Sequence, residues 1–363
     1  MLKKVLKVVA ILLVIVLAFA IGYVAYVFIS YHRLPDVDEA VEMKGEAAAA
    51  GQPYTIVTWN LGFGAYSDDY GFFMDGGTES WAFSKDAVYQ NLGFAQDKLK
   101  ELAPDLMILQ ELDTDATRSY HVDEAELMRQ AFGDYQSFFA QNYDSPFLLY
   151  PFRQPHGASK AGIMTLSRRG FDRAARIGLP IETGFTKFLD LDRCYSKVWL
   201  PMENDKKLVL YNLHLSTYTS DGTIAQKQLE ILCADMLAEY QAGNYVVGGG
   251  DFNKDLLGDS AAIFGVPADP GYTWNQPIPE GTFPEGLTLV NSAGRGQPHP
   301  QQPRRRRPLR ARRHLRQHPG RLHRVRQRDR QFLPGDRHRL QVLRPQPRGD
   351  GIRAGRRIGE SGE

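Results

Sequence analysis

Cysteine is nearly absent, with Cys194 and Cys233 the only two among 363 residues. That excludes a disulfide framework, and their spacing excludes a zinc site built on paired cysteines. Both read as buried thiols, because free cysteine behaves mostly as a small hydrophobe. Internal repeats are also lacking. From Arg295 onward the chain has no lysine and a single aromatic residue, Phe332, alongside 21 arginines and 5 acids. Such a segment buries too little apolar surface to offset the entropy of ordering, so residues 295–363 are expected to form a disordered basic tail. The formal net charge of +2 conceals this division, since residues 1–294 hold 23 bases and 37 acids.

What is present starts with "VVAILLVIVLAFAIGYVAYVFI", Val8 to Ile29, without one charge. About 20 apolar residues span a bilayer, so residues 1–32 read as a transmembrane anchor. Lys3, Lys4 and Lys7 precede the run and more acid than base follows it, which puts the amino terminus in the cytoplasm and the rest of the chain outside. "AFA" at Ala18 to Ala20 resembles the cleavage site of a signal peptide, the rival reading, but the apolar run continues past it and exceeds a signal core. Residues 33–53, polar and alanine-rich, read as a linker.

The soluble domain is expected over 54–294. "YTIVTWNLGFG" reads as a buried strand ending in a glycine turn, and helical periodicity follows at Val88, Leu92, Ala95, Leu99 and Leu102. "DLMILQEL", "YQSFFAQNY", "AGIMTLS", "CYSKVWLPM" and "KKLVLYNLHLS" read as strands, mostly antiparallel because little helix separates them. An amphipathic helix then places Leu229, Leu232, Cys233, Met236 and Tyr240 on one face, with Ser220 or Asp221 as N-cap and Gly243 as stop. "NYVVGGGDFN" closes the series as another strand. The pattern predicts an α/β sandwich, sheet packed on sheet with helices outside.

Polar residues suited to metal or proton chemistry sit where apolar strands end: Asn60 after "TIVTW", Glu111 after "DLMILQ", His214 late in "LVLYNLH", Asp251 and Asn253 after "YVVGGG". One such residue is ordinarily a turn former. Taken together in this order, "TWNLG", "LQELD", "NLHLS" and "GGDFN" resemble the endonuclease/exonuclease/phosphatase superfamily, the deoxyribonuclease I-like fold, over about residues 54–293. The resemblance implies a four-layer α/β/β/α sandwich and hydrolysis of phosphate esters assisted by a divalent cation, Mg²⁺ or else Mn²⁺. Glu111 then reads as metal ligand and Asn60 as its neighbour at the metal, since hard cations take carboxylate oxygens. Asp251 would position or deprotonate the attacking water, Asn253 would hold it or a phosphate oxygen, and His214 would donate to the phosphoryl oxygens. In "RSYHVD", Tyr120 and His121 are candidates for substrate contact. His156, Lys160 and Trp274 are further candidates for the cleft.

The superfamily normally ends on a strand carrying Ser-Asp-His, and that triplet occurs nowhere in this chain. "LRPQPRG", Leu343 to Gly349, can be coded so that a start one nucleotide later reads Ser-Asp-His-Asn-Pro-Val. An Arg, Pro, Gln and His tail without lysine is what displaced GC-rich codons yield. The expectation is a reading frame displaced near residues 293–297, lost terminal strands and impaired activity. The other class of function is a non-catalytic, membrane-tethered module that binds a phosphorylated ligand or nucleic acid through the cleft and the basic tail. Substrate is not distinguished among nucleic acid, phosphoinositide and phospholipid, and no specific protein partner is read from the sequence.

Overall fold

The computed structural model describes residues 1–67, 69–188, 190–217, 223–256, 277–279, 281–290 and the backbone of 342–345. Trp274, both proposed N-caps Ser220 and Asp221, and the rest of the basic tail lie outside them.

Helix α1 (Leu2–Ser30) is long and apolar enough to cross a membrane. Two sheets follow. The smaller has the order β2 (Ile56–Asn60), β3 (Leu106–Ala116), β5 (Gly157–Ser167), β4 (Gln136–Leu148). The larger runs β1 (Val37–Ala40), β6 (Arg173–Gly178), β7 (Cys194–Pro201), β8 (Lys207–His214), β9 (Tyr245–Asp251), β11 (Val342–Pro345), β10 (Leu287–Val290). Among the described residues only β2/β3 and β8/β9 pair in parallel. A parallel pair needs a crossover, and here each has a helix: α2 (Lys85–Leu102) after β2 and α4 (Thr223–Gln241) after β8. The carboxyl ends of β2 and β3, and of β8 and β9, therefore lie side by side.

Alternation along the strands builds three apolar layers. Ile108, Val198, Leu200, Leu208 and Leu210 fill the space between the sheets. Their neighbours Met107 and Leu109 face outward onto Val88, Leu92 and Leu99 of α2 and Met128 of α3 (Glu124–Ala131). Val209, Tyr211 and Leu213 face the other way, onto Leu229, Leu232, Cys233 and Met236 of α4. The result is the expected α/β/β/α order of layers. Ser84 caps α2 by accepting from the Ala87 amide at 3.0 Å, and the helix ends at Leu102 as its periodicity predicts, although Leu102 itself is exposed.

Two expectations change. Residues 33–53 are not a free tether: β1 pairs antiparallel with β6, Ala48 is buried, and the Gln136 side chain accepts from the Lys44 amide and donates to the Glu42 carbonyl. An edge strand needs only backbone donors and acceptors, so its polar composition gave no sign of it. The tail is not wholly unstructured either, because Val342–Pro345 forms β11 between β9 and β10.

Candidate active site

Four strands from two sheets deliver the site. β8 and β9 run parallel with His214 opposite Asp251, which makes those side chains neighbours. Such close strand pairing at this point needs a glycine, since a Cβ on Gly250 (φ +140°) would lie 2.1 Å from the Leu213 carbonyl oxygen. On the other sheet β3 breaks register between Leu109 and Leu112, and Glu111 within that bulge takes a left-handed φ of 55°. A non-glycine residue there is strained by about 1 kcal/mol or more. The bulge turns Glu111 away from the apolar alternation of its neighbours and toward β9.

Asn60 joins the two halves. Its Nδ2 donates to Glu111 Oε1 and to Asp251 Oδ2, both at 2.8 Å, while its Oδ1 accepts from the Gly62 amide at 2.9 Å. With its oxygen turned to the Gly62 amide and its nitrogen facing both carboxylates, Asn60 holds the two acids side by side. The buried His214 ring stands with Nε2 3.9 Å from Glu111 Oε1 and 3.9 Å from Asp251 Oδ2. Burial, helped by the nearby Arg193 charge, lowers its pKa and favours the neutral ring. Donor atoms of Glu111, His214 and Asp251 all lie within 4.8 Å of one another. Two carboxylates and an imidazole that close fit a divalent cation, for which the carboxylates are the hard oxygen donors.

Asn253, also at left-handed φ (48°), lines the same cleft. Its amide nitrogen is spent on the Leu215 carbonyl at 2.7 Å, and its backbone N–H donates to Asp251 Oδ1 at 2.9 Å. It therefore holds the turn that presents Asp251.

The walls hold residues that no strand-end pattern pointed to. Arg118 is buried, paired through two nitrogens with Asp113 at 3.0 and 2.7 Å, and lies 4.0 Å above the Phe63 ring. Beneath it Glu124 is fully buried, and burial together with the Asp113 charge raises its carboxyl pKa well above the usual range. Arg193 is equally buried; it bonds Asp190 through Nε and Nη2, whereas its Nη1 has no hydrogen-bond partner among the described residues. Tyr66, Phe72, Met74, Tyr143, Leu191 and His156 complete the lining on its apolar side. Of the secondary candidates, His156 is in the cleft, while Lys160 is exposed and does not line it.

Tyr120 and His121 are not brought to the cleft. The Tyr120 hydroxyl donates to the Ala82 carbonyl at 3.1 Å and its ring packs edge-on to Trp81, a structural role. His121 is exposed and bonded to Asp115 at 2.6 Å. Their neighbour Arg118 is the residue of that stretch that reaches the site, and its signal was weak: one arginine five residues after an aspartate that ends a buried run. β11 adds no imidazole, since it is antiparallel to β9 with Val342 opposite Gly249 and its later residues run away from Asp251.

No protein-family model and no curated protein matches the chain. Among solved structures it is similar to an endonuclease/exonuclease/phosphatase from Beutenbergia cavernae, at 20% identity and TM-score 0.43 over 61% of this chain and 50% of that one. It is similar also to a humanized D. rerio TDP2, at 16% identity and TM-score 0.39 over 65% and 74%. An endonuclease/exonuclease/phosphatase family protein from Leptotrichia buccalis gives 14% identity and TM-score 0.38 over 58% and 70%. The chain spans half the length of the first of these. At such scores none of these likenesses carries a function, which rests on the cleft itself.

Proposed function

We propose that this chain is a metal-dependent phosphoester hydrolase, a phosphodiesterase or phosphatase, tethered by α1 with its domain outside the cytoplasm. One observation carries the reading: two carboxylates, the amide that orients both, and a buried imidazole converge from four strands on one cleft walled by two buried guanidinium groups. Glu111 and Asp251 would hold the cation, Mg²⁺ or Mn²⁺, and when bound it supplies neutralisation of the phosphate charge and polarisation of the phosphoryl group.

The remaining work falls to the chain's own atoms. Arg193 Nη1, buried and without a partner among the described residues, is a donor ready for a phosphate oxygen. The neutral His214 ring offers one N–H to a phosphoryl oxygen as charge gathers there. Asp251, with one oxygen fixed by Asn60 and the other by the Asn253 amide, accepts the proton of the attacking water. Water oxygen bonds to phosphorus, the bond to the leaving oxygen breaks, and that oxygen needs a proton. The missing Ser-Asp-His is the motif whose imidazole would serve there, so we assign low turnover to the present form and a displaced frame to its gene.

The experiment compares the present chain with a form whose terminal frame is shifted by one nucleotide, on bis(p-nitrophenyl) phosphate with Mg²⁺. The shifted form is expected to hydrolyse it, and Asp251→Asn in that form to slow it by about 10² to 10⁴-fold. Independently of turnover, the present chain is expected to bind Mn²⁺ by calorimetry and to lose that binding in Glu111→Gln. Retained Mn²⁺ binding in Glu111→Gln, or a shifted form that binds phosphate and never turns over, removes the hydrolase reading; the second leaves the tethered binding module.

A further inference from the structure

The cleft and the apolar helix meet at the same end of the sandwich. Ala116 at the end of β3 pairs with Ser159 near the start of β5, and Leu148 ending β4 pairs with Gly157, so segment 149–156 projects beyond the strand ends that bear the site. Its last residue, His156, lines the cleft. Across the larger sheet Gly178 pairs with Cys194 and Tyr195 with Leu213, so the connection from β6 to β7, with Asp190, Leu191 and Arg193 of the cleft, belongs to this end too.

α1 touches both connections. The Tyr23 hydroxyl accepts from the Leu149 amide at 2.9 Å, and the Tyr26 hydroxyl accepts from the Phe147 amide at 3.0 Å. Phe28 and Tyr31 meet the Phe188 ring edge-on at 4.8 and 5.1 Å between centroids. Three of these four residues lie inside the uncharged run that ends at Ile29. Tyr23 is six residues short of that end, about 9 Å along a helix axis. Interfacial segments bury their apolar side about 5 to 10 Å deep.

The hairpin tip carried to that depth is apolar where a soluble loop would be polar. Tyr150 is 56% exposed and Phe152 84%, with Phe147 exposed beside them and Arg153 following. An isolated exposed aromatic residue means little, but these three stand next to a helix able to cross a bilayer. Aromatic rings continue from the tip toward the cleft: Tyr150 lies 5.9 Å from Phe73, and Phe73 lies 6.1 Å from His156.

We infer that the β4–β5 hairpin tip, Phe147 to Arg153, is a second membrane contact, docked on the bilayer that α1 crosses and holding the mouth of the cleft toward the lipid headgroups. The hydrogen bonds of Tyr23 and Tyr26 set the tip level with the helix's apolar run, and a lipid bilayer is the partner that covers both surfaces at once. This holds whether or not the cleft hydrolyses anything.

The test uses the full chain in phosphatidylcholine vesicles containing phosphatidylglycerol, with nitroxide labels on single introduced cysteines. Cys194 and Cys233 are buried and leave the added thiol as the reactive one. Phe152→Cys is compared with Phe19→Cys on α1 and with Asn204→Cys on the exposed turn between β7 and β8, at the opposite end of the sheet. Docking predicts that the label at 152 relaxes with oxygen over a water-soluble nickel chelate, as at 19, while the label at 204 favours the chelate by several-fold. A label at 152 as open to nickel as that at 204 overturns the inference. One shielded from both reagents overturns it as well, in favour of a protein contact. Circular dichroism melting of each variant confirms that the fold is retained.

Discussion

The two sheets contribute unlike halves to one cleft. The smaller gives Asn60 and Glu111, and Glu111 reaches its place only through a bulge and a left-handed backbone. The larger gives His214 and Asp251 from regular, parallel-paired strand ends. Among the described residues neither half gathers the cation donors alone; a polar stitch in the largely apolar layer between the sheets ties them together. Asn212 on β8 donates to the Leu109 and Met164 carbonyls of the smaller sheet, each at 3.1 Å, and accepts from Gln110 at 2.7 Å. All of these partners are buried. A fully satisfied buried network is specific because breaking any member leaves the rest unpaired, and this one lies directly below Glu111 and His214.

The sharpest way to break the pairing of the halves is Asn212→Leu. It strands the Gln110 donor and leaves two carbonyls to be satisfied elsewhere, and is expected to cost about 2 to 4 kcal/mol in urea unfolding. It should also weaken Mn²⁺ binding although no ligand is altered. Unchanged stability with unchanged binding would mean that apolar packing alone sets the separation.

A pH titration separates the apolar wall from the acidic floor. His156 is pushed down to about 3 by burial among Phe72, Phe73 and Tyr143. The folded state thus resists protonation that the unfolded chain accepts near 6.5. The stability it contributes is present above about pH 6.5 and is lost as pH falls toward about 3, at up to about 1.4 kcal/mol per pH unit. His156→Phe should flatten that part of the acid limb by about one proton's worth in urea melts between pH 6.5 and 4. An unaltered slope would place the imidazole in water.

The smallest effect is expected at Tyr120→Phe, within about 1 kcal/mol of stability and without change in Mn²⁺ affinity, because its hydroxyl serves the loop carbonyls of Ala82 and Phe83. A large loss of binding there would return Tyr120 to the site.

Much of this was legible along the chain. α2 and α4 announced themselves by periodicity, and Val88, Leu92, Leu99, Leu229 and Met236 are buried as that spacing requires. Asn60, Glu111, His214 and Asp251 were legible because each ends an apolar strand, and strand ends in a sandwich collect at its rims. Arg193 was not, since an arginine in "LDLDRCYS" looks like any surface charge until the connection into β7 buries it. Nor was β1, whose backbone bonds leave no trace in composition.

The sequence by itself determined the uncharged amino-terminal run, the helices, the strands and the order of four polar strand ends, because each is a pattern over neighbouring residues. Only the tertiary structure decided which atoms face one another: that the oxygen of Asn60 turns away from the acids, that Arg193 keeps one nitrogen without a partner among the described residues, that Tyr120 props a loop, and that α1 leans on the cleft end of the sandwich. Those facts depend on a bulge, on the distance between two sheets and on contacts across more than a hundred residues of chain, and side-chain direction at such range is settled by packing.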